Sequence, residues 1–400
     1  MKKLLLFLTL ISLVNFANAQ TAYITNSQDN TVSVIDVVTN TVTDTIKVGT
    51  EPFGVCVSPN GSKVYIANRI DSTVSVINCA TNTVTATIKV GTEPDGVSVS
   101  PDGSKIYVAN CYDTTVSVIN SVTNSVSTII KVGYYPIGIS VSPDGSKVYV
   151  ANSGEYTVSV INSVTNSVSA SINVGINPTG VIVSPDGSRV YITNQGENTV
   201  SVINSAVDTV LATITVGPYV YGIAISHDGS KVYVPNFYDN TLSIINTATY
   251  TVDTIVVGNS PFGVSVSPDG SKVYVVNWYD NTVSVIDAAT NTVSATINVG
   301  IGPHAFGNFI STYTQTVGLA SLSIVSANIA VYPNPATNNI TIESPLQAII
   351  EILNIQGQII KRLFTTGEKT NIDISEFQCG VYYVEVKTEK GIAIKKFIKE

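Results

Sequence analysis

The sequence predicts an all-β chain, and three observations carry that prediction. The first is a repeat. The turn-and-strand unit SPDGSKVYVAN at residues 142–152 has near copies whose turns begin at Ser58, Ser100, Ser184, Ser226 and Ser267, 42 residues apart four times and 41 once. Spacing of that regularity means stacked copies of one supersecondary unit. The second is composition: 12% of residues are charged, Thr, Ser, Asn and Val abound, and the Leu, Glu and Lys that fill helices are sparse. The third is that every copy divides into four short segments of strand character. Sheets that are apolar on both faces need a neighbour on each side, and a closed ring leaves none missing. The second segment occurs seven times, near Tyr23, Tyr65, Tyr107, Tyr149, Tyr191, Tyr233 and Tyr274. The expected fold is therefore a seven-bladed β-propeller closed by its C-terminal strand, followed by a small β-sandwich domain.

The first element is not part of the ring. Residues 1–19 hold two lysines, an apolar run from Leu4 to Val14, and Ala17-Asn18-Ala19 before Gln20. That is the pattern of a secretory signal peptide cleaved between Ala19 and Gln20. The run is too short to span a bilayer and no later stretch is long enough, so no transmembrane segment is expected. A net charge of -8 without a basic stripe argues against nucleic acid as a partner.

Blade two shows the pattern of the ring. Its strands are expected at 53–58, 63–68, 73–78 and 83–90, here called A to D. Asp-Gly or Asn-Gly makes the A–B turn, since Gly reaches positive φ without a clash and Asp or Asn bonds the local backbone. Strands B and C are apolar on both faces, as in Val64-Tyr65-Ile66-Ala67, and are expected to be buried. Strand D alternates Val84, Ala86, Ile88 and Val90 with Thr83, Thr85, Thr87 and Lys89, so one of its sides faces water at the outer edge. Lys47, Lys89 and Lys131 guard that edge against pairing. Blade one starts directly at strand B, and its missing strand A is expected from residues 303–311 after blade seven. His227 replaces the turn proline, and blade six is one residue short.

The ends of the B strands read YITN at Tyr23 and Tyr191, with YIAN, YVAN, YVPN and YVVN elsewhere, alongside TVSVIN/D and PxGVxVSPDGSKVY runs. Residues 21–311 thereby resemble the YVTN family, a resemblance that implies a seven-bladed propeller, often exported, with no common activity. Beyond a Ser/Thr-rich linker at 312–328, residues 329–400 carry YPNPA, LNIQGQII, GVYYVEV and a basic end at Lys395, Lys396 and Lys399. This region is similar to the C-terminal sorting domain of the type IX secretion system of Bacteroidota. The resemblance implies the secretion machinery as a partner, removal of the tail, and a protein that is released or held on the outer cell surface. The domain order expected is 1–19 signal peptide, 20–311 propeller, 312–328 linker and 329–400 sorting domain.

Few residues carry chemistry. Two histidines and four cysteines (Cys56, Cys79, Cys111 and Cys379), none in a CxxC, supply no metal or haem cluster, and neither a GxSxG elbow nor a P-loop occurs. No cofactor, metal site or catalytic residue is expected. A carboxylate follows the strand B asparagine by three residues in every blade (Asp29, Asp71, Asp113, Glu155, Glu197, Asp239 and Asp280). At about 10 Å or more from the axis these cannot meet on one ion, given strands about 4.8 Å apart, so they are read as shaping the B–C hairpin.

The A–B and C–D loops share one face of the ring and repeat monotonously. The D–A and B–C loops share the other and differ from blade to blade. That face is the expected ligand-binding surface, with Trp278, Tyr279, Tyr238, Phe237, Phe262, His304, Tyr221, Tyr135, Glu93 and Asp95 as candidate contacts, since loop aromatics offer large rigid area. The function expected is a secreted or cell-surface binding or adhesion module, non-catalytic, for an extracellular glycan, peptide or protein. One alternative is an enzyme resembling propeller lactonases or quinoproteins, with His304 or Glu93 as its base. Another is a structural surface-layer component.

Overall fold

The computed structural model describes residues 20–311, 329–343, 348–354, 359–365, 367–388 and 391–400. The expected signal peptide with Ala19, the expected linker and part of the LNIQGQII segment lie outside the described residues. The chain divides into two compact units, 1–316 and 317–400.

Within the first unit, the strands of blade two run Pro52–Val57, Lys63–Asn68, Thr73–Asn78 and Thr83–Lys89, paired antiparallel in sequence order. Seven sheets of this kind occur among the described residues, six with four strands and the first with three. The B-strand tyrosines are all buried, as are the central residues of every C strand. On strand D burial fades outward: Ile88 is buried, Ala86 half-buried and Val84 exposed.

The asparagine that ends each B strand is a bracket. Asn68 Nδ2 donates to Thr73 Oγ1 at 3.0 Å and to Ser75 Oγ at 2.9 Å, and the same pair of bonds recurs in the other six sheets. Buried polar groups need such partners. On the opposite face the Asp102 carboxylate accepts Ser100 Oγ–H at 2.5 Å and the Ser104 N–H at 3.0 Å, which holds its pKa down to about 2. Lysines at the start of strand B tie one blade to the next. Lys105 Nζ, for example, donates to the Ser163 carbonyl at 2.7 Å, and Lys272 Nζ to that of Val37 at 2.8 Å, joining blade seven to blade one.

Strand D holds a β-bulge in every sheet but the sixth, seen as a register shift such as that between Val76 and Ile77 opposite it. The sixth pairs Ile244 with Asp253 and Ile245 with Val252 without a shift. The residue blade six lacks is thus the bulged one, the residue of strand D that has no partner in the ladder.

Ring closure uses residues 303–311, but not as a regular strand. Isolated bridges join Ala22 to Ile310 and Asn26 to Pro303, and Tyr23 N–H donates to the Phe309 carbonyl at 2.9 Å. Positive φ at Ala305 (45°) and Gly307 (124°) breaks the ladder between them. The closing segment is nonetheless core: Ala305, Phe309 and Ile310 share one apolar cluster with residues of blades one, two and seven. Strand A of blade six is likewise reduced to Ala224–Ile225.

Near the axis, a glycine in each strand A lets the inner strands touch. A Cβ on Gly54 would overlap the carbonyl oxygen of Asp95 in the next blade, and one on Gly307 that of Val55.

The second unit holds a three-stranded sheet (Ala330–Tyr332, Asn339–Glu343, Lys369–Asp373) and a four-stranded one (Ile359–Phe364, Ile349–Asn354, Gly380–Thr388, Gly391–Lys399). Ile340, Ile342, Ile350, Ile352, Val384 and Phe397 form their shared core. No helix among the described residues is long and apolar enough to cross a membrane.

Candidate functional site

The D–A and B–C loops frame a depression over the axis, and the candidate aromatics divide by their distance from it. Phe53, Phe262, Phe306, Ile137 and Cys111 form a buried plug with Tyr221 and Phe237 packed on it. Tyr221 meets Phe262 at 4.3 Å between ring centres, and Phe53 meets Phe262 at 5.5 Å and Phe306 at 5.8 Å. Phe262, Tyr221 and Phe237 were expected as exposed contacts. Phe262 is instead buried and the other two are half-buried, because loops that converge on an axis bring their first residues into mutual contact. Farther out, Tyr238 and Tyr279 stand 65% and 71% exposed, with Tyr135 at 49%. Trp278 is half-buried between the two groups, 6.3 Å from Phe237 and 6.4 Å from His304.

Two recesses open here. One, of about 250 Å³, is walled by Phe53, Tyr219, Tyr221, Phe237, Phe262, Trp278, His304 and Arg69. The other, of about 500 Å³, is lined by Ser27, Gln28, Asn30, Thr50 and Glu51, and shares Trp278 and His304 with the first.

The charged candidates have turned inward. Asp95 is 1% exposed, and its Oδ1 meets Arg69 Nε at 2.7 Å in an ion pair. Arg69 also approaches Glu51 at 3.3 Å and Glu93 at 3.4 Å, and its guanidinium lies 4.9 Å over the Phe53 ring. Burial pushes the Asp95 carboxyl up to about 7 against the pull of Arg69. Asp95 is therefore a buried counter-ion rather than the surface contact expected. Cys111, beside it, has its thiol pushed up to about 12 by burial and by the Asp95 charge. No pair among the four cysteines forms a disulfide.

His304 is wedged against Phe53 at 4.7 Å and Phe262 at 4.8 Å. Its Nδ1 lies 3.2 Å from the Gly302 carbonyl, which can only accept, so Nδ1 carries the proton and Nε2 is the acceptor. Burial lowers its pKa to about 4. The indole Nε1 of Trp278 is shut from solvent and has no partner. Four of the seven B–C carboxylates also hold a D–A loop: Asp29, Asp71, Asp113 and Asp280 each accept an N–H there at 2.6–2.7 Å.

Sequence reasoning assigned Phe306 to closure and missed Cys111 and the hydroxyl and amide residues of the second recess. A closing segment that ends on the axis was the available signal for Phe306.

The backbone marks the same face. In the C–D turns, at the far end, the positive-φ residue is Asn40, Asn82, Asn124, Asn166, Asp208, Tyr250 or Asn291. In the D–A loops the equivalent residue is Glu51, Glu93, Tyr135, Asn177, Tyr219, Ser260 or Gly302. Asn, Asp and Gly tolerate this region; large side chains do not.

Comparison with known proteins gives two family matches. Residues 330–400 match the secretion system C-terminal sorting domain, and residues 7–102, 60–146 and 221–310 match the YNCE-like beta-propeller. Among solved structures, a chain of Kuenenia stuttgartiensis hydrazine synthase is similar with a TM-score of 0.63 at 24% identity, over 67% of this chain and 92% of that one. A functionally unknown protein from Desulfotomaculum acetoxidans DSM 771 also scores 0.63, at 15% identity over 72% of this chain and 100% of that one. At such identities the likeness is one of fold. No curated protein matches the chain.

Proposed function

Because the chain belongs to the YNCE-like β-propeller family and ends in a type IX sorting domain, we propose that this secreted or surface-attached protein is a non-catalytic binding module. Its D–A and B–C loops are the binding face. The observation that carries this reading is the placing of Glu51, Glu93, Tyr135 and Tyr219 at positive φ. Each costs roughly 1–2 kcal/mol of backbone strain that Gly, as at Gly302, would avoid. The opposite face uses Asn or Asp at six of its seven matching positions. Aromatic or acidic side chains take this strain at four of seven positions on the loop face and at one, Tyr250, on the other, and that imbalance supports contact with a partner.

The enzyme alternative needs an acid and a base facing the recess. Asp95 and Glu93 both face Arg69, and burial lowers His304 to about 4, which makes it a weak base; this favours the binding module.

An unbiased glycan and protein capture on the full chain tests the reading. Tyr238→Ala and Trp278→Ala are expected to weaken the captured ligand by about 1–3 kcal/mol each without altering thermal unfolding. Undiminished affinity in both variants, or a ligand mapped to the SPDGS face, refutes it.

A further inference from the structure

Resting on that reading of the face, we propose that the two joined recesses bind an uncharged oligosaccharide of at least two rings, laid across the Trp278–His304 pair. The first recess has flat aromatic walls and about 250 Å³ of space, below the usual range for drug-sized ligands and suited to one ring. The second, about twice as large, is lined mainly by hydroxyl and amide side chains: Ser27, Gln28, Asn30 and Thr50. A sugar ring presents the same two surfaces, an apolar C–H face and a rim of hydroxyls, to aromatic planes and neutral polar groups.

Charge disfavours the other ligand classes of this size. The one cation of the recess, Arg69, is committed to Glu51, Glu93 and Asp95, so it offers little to a phosphate or carboxylate. Asp95 is buried, and Glu51 and Glu93 lean on the same guanidinium at 3.3 and 3.4 Å, so an ammonium group has to compete with Arg69 for them. What remains at the junction is neutral. His304 Nε2 is an acceptor fixed by the bond from Nδ1 to Gly302, and Trp278 Nε1 is an orphaned donor. A buried donor with no partner calls for an explanation, and a ligand hydroxyl met by a small turn of the indole supplies one.

The chain has a single tryptophan, so its fluorescence reports this junction alone. Cellobiose, maltose, lactose and chitobiose are titrated into the full chain to about 10 mM, well beyond a Kd of about 1 mM. A glucuronate-containing disaccharide and a glucosamine disaccharide serve as charged counterparts. At least one neutral disaccharide is expected to give a saturable change, at least about tenfold tighter than the charged ones, or about 1.4 kcal/mol. Phe237→Ala, checked for unaltered thermal unfolding, is expected to weaken it at least tenfold, whereas Tyr112→Ala is expected to leave it unchanged. No saturable response to any neutral disaccharide, or tighter binding of a charged one, overturns the saccharide assignment. If a peptide or protein is captured instead and is lost with Tyr238→Ala, the binding face stands and only the ligand class falls. A ligand on the SPDGS face removes both.

Discussion

Asp95 and His304 titrate in opposite senses over one pH window. Asp95 is raised from 3.8 to about 7, so between those values the folded chain holds a proton that the unfolded chain has released, and stability falls as pH rises. His304 is lowered from 6.5 to about 4, so in that range the unfolded chain holds the extra proton and stability falls as pH drops. Each slope is at most about 1.4 kcal/mol per pH unit, and between pH 4 and 6.5 the two offset. We expect urea unfolding of the wild type to be nearly flat between about pH 5 and 6.5, and to weaken nearer pH 4, where the turn aspartates held down to about 2, such as Asp102 and Asp144, begin to take up protons in the unfolded chain. Asp95→Asn is expected to lose stability on acidification from pH 6.5, and His304→Gln to gain it on acidification from pH 7; parallel profiles in both variants would contradict these assignments. Arg69→Met leaves the buried Asp95 charge unpaired and is expected to cost about 3–5 kcal/mol at pH 8, less at pH 5, where the carboxyl takes up a proton. None of this was legible in the sequence. Composition and spacing place Asp95 and Phe262 on the variable loops beside Tyr238, but they do not say how far from the axis a loop residue stands, and that radius separates plug from rim.

At the scale of strands, prediction and structure agree closely, because an alternating or doubly apolar segment bounded by Asp-Gly or Thr-Asn has little choice of conformation. The B and C strands of blade two fall at the expected residues. The D-strand bulge went unread since it changes no hydropathy pattern; only the residue missing from blade six hinted at it. Two outcomes are expected here. Removing residues 303–311 is expected to unravel the ring cooperatively, since Phe306, Phe309 and Ile310, all buried, each contribute about 1.5–3 kcal/mol. Unchanged thermal unfolding would contradict that closure. Gly54→Ala drives a methyl into the Asp95 carbonyl and is expected to cost at least about 1–3 kcal/mol, the range for an overpacked core. Gly270→Ala meets no neighbouring atom but strains a φ of +71°, and is expected to cost about 1 kcal/mol; calorimetry on the two variants separates crowding from backbone strain.

For the whole molecule, the ring was legible because it repeats, and the tail because YPNPA and GVYYVEV interrupt that repetition. The ligand was not, since it depends on loops that have no counterpart in the other blades. The exported product is expected to begin at Gln20 and to lack the region after about Asn328, which intact-mass measurement on culture fluid and cell surface checks; an extracellular chain still ending at Glu400 would contradict removal of the tail. Closure also sets an order in time. Thr25 Oγ1 accepts the Ala305 N–H across 280 residues of chain, so the strand Thr21–Asn26 is among the first to emerge from synthesis and the last to find its partner. At about 5–20 residues per second, its open edge waits tens of seconds, and during that interval it is the part of the nascent chain with most need of a chaperone.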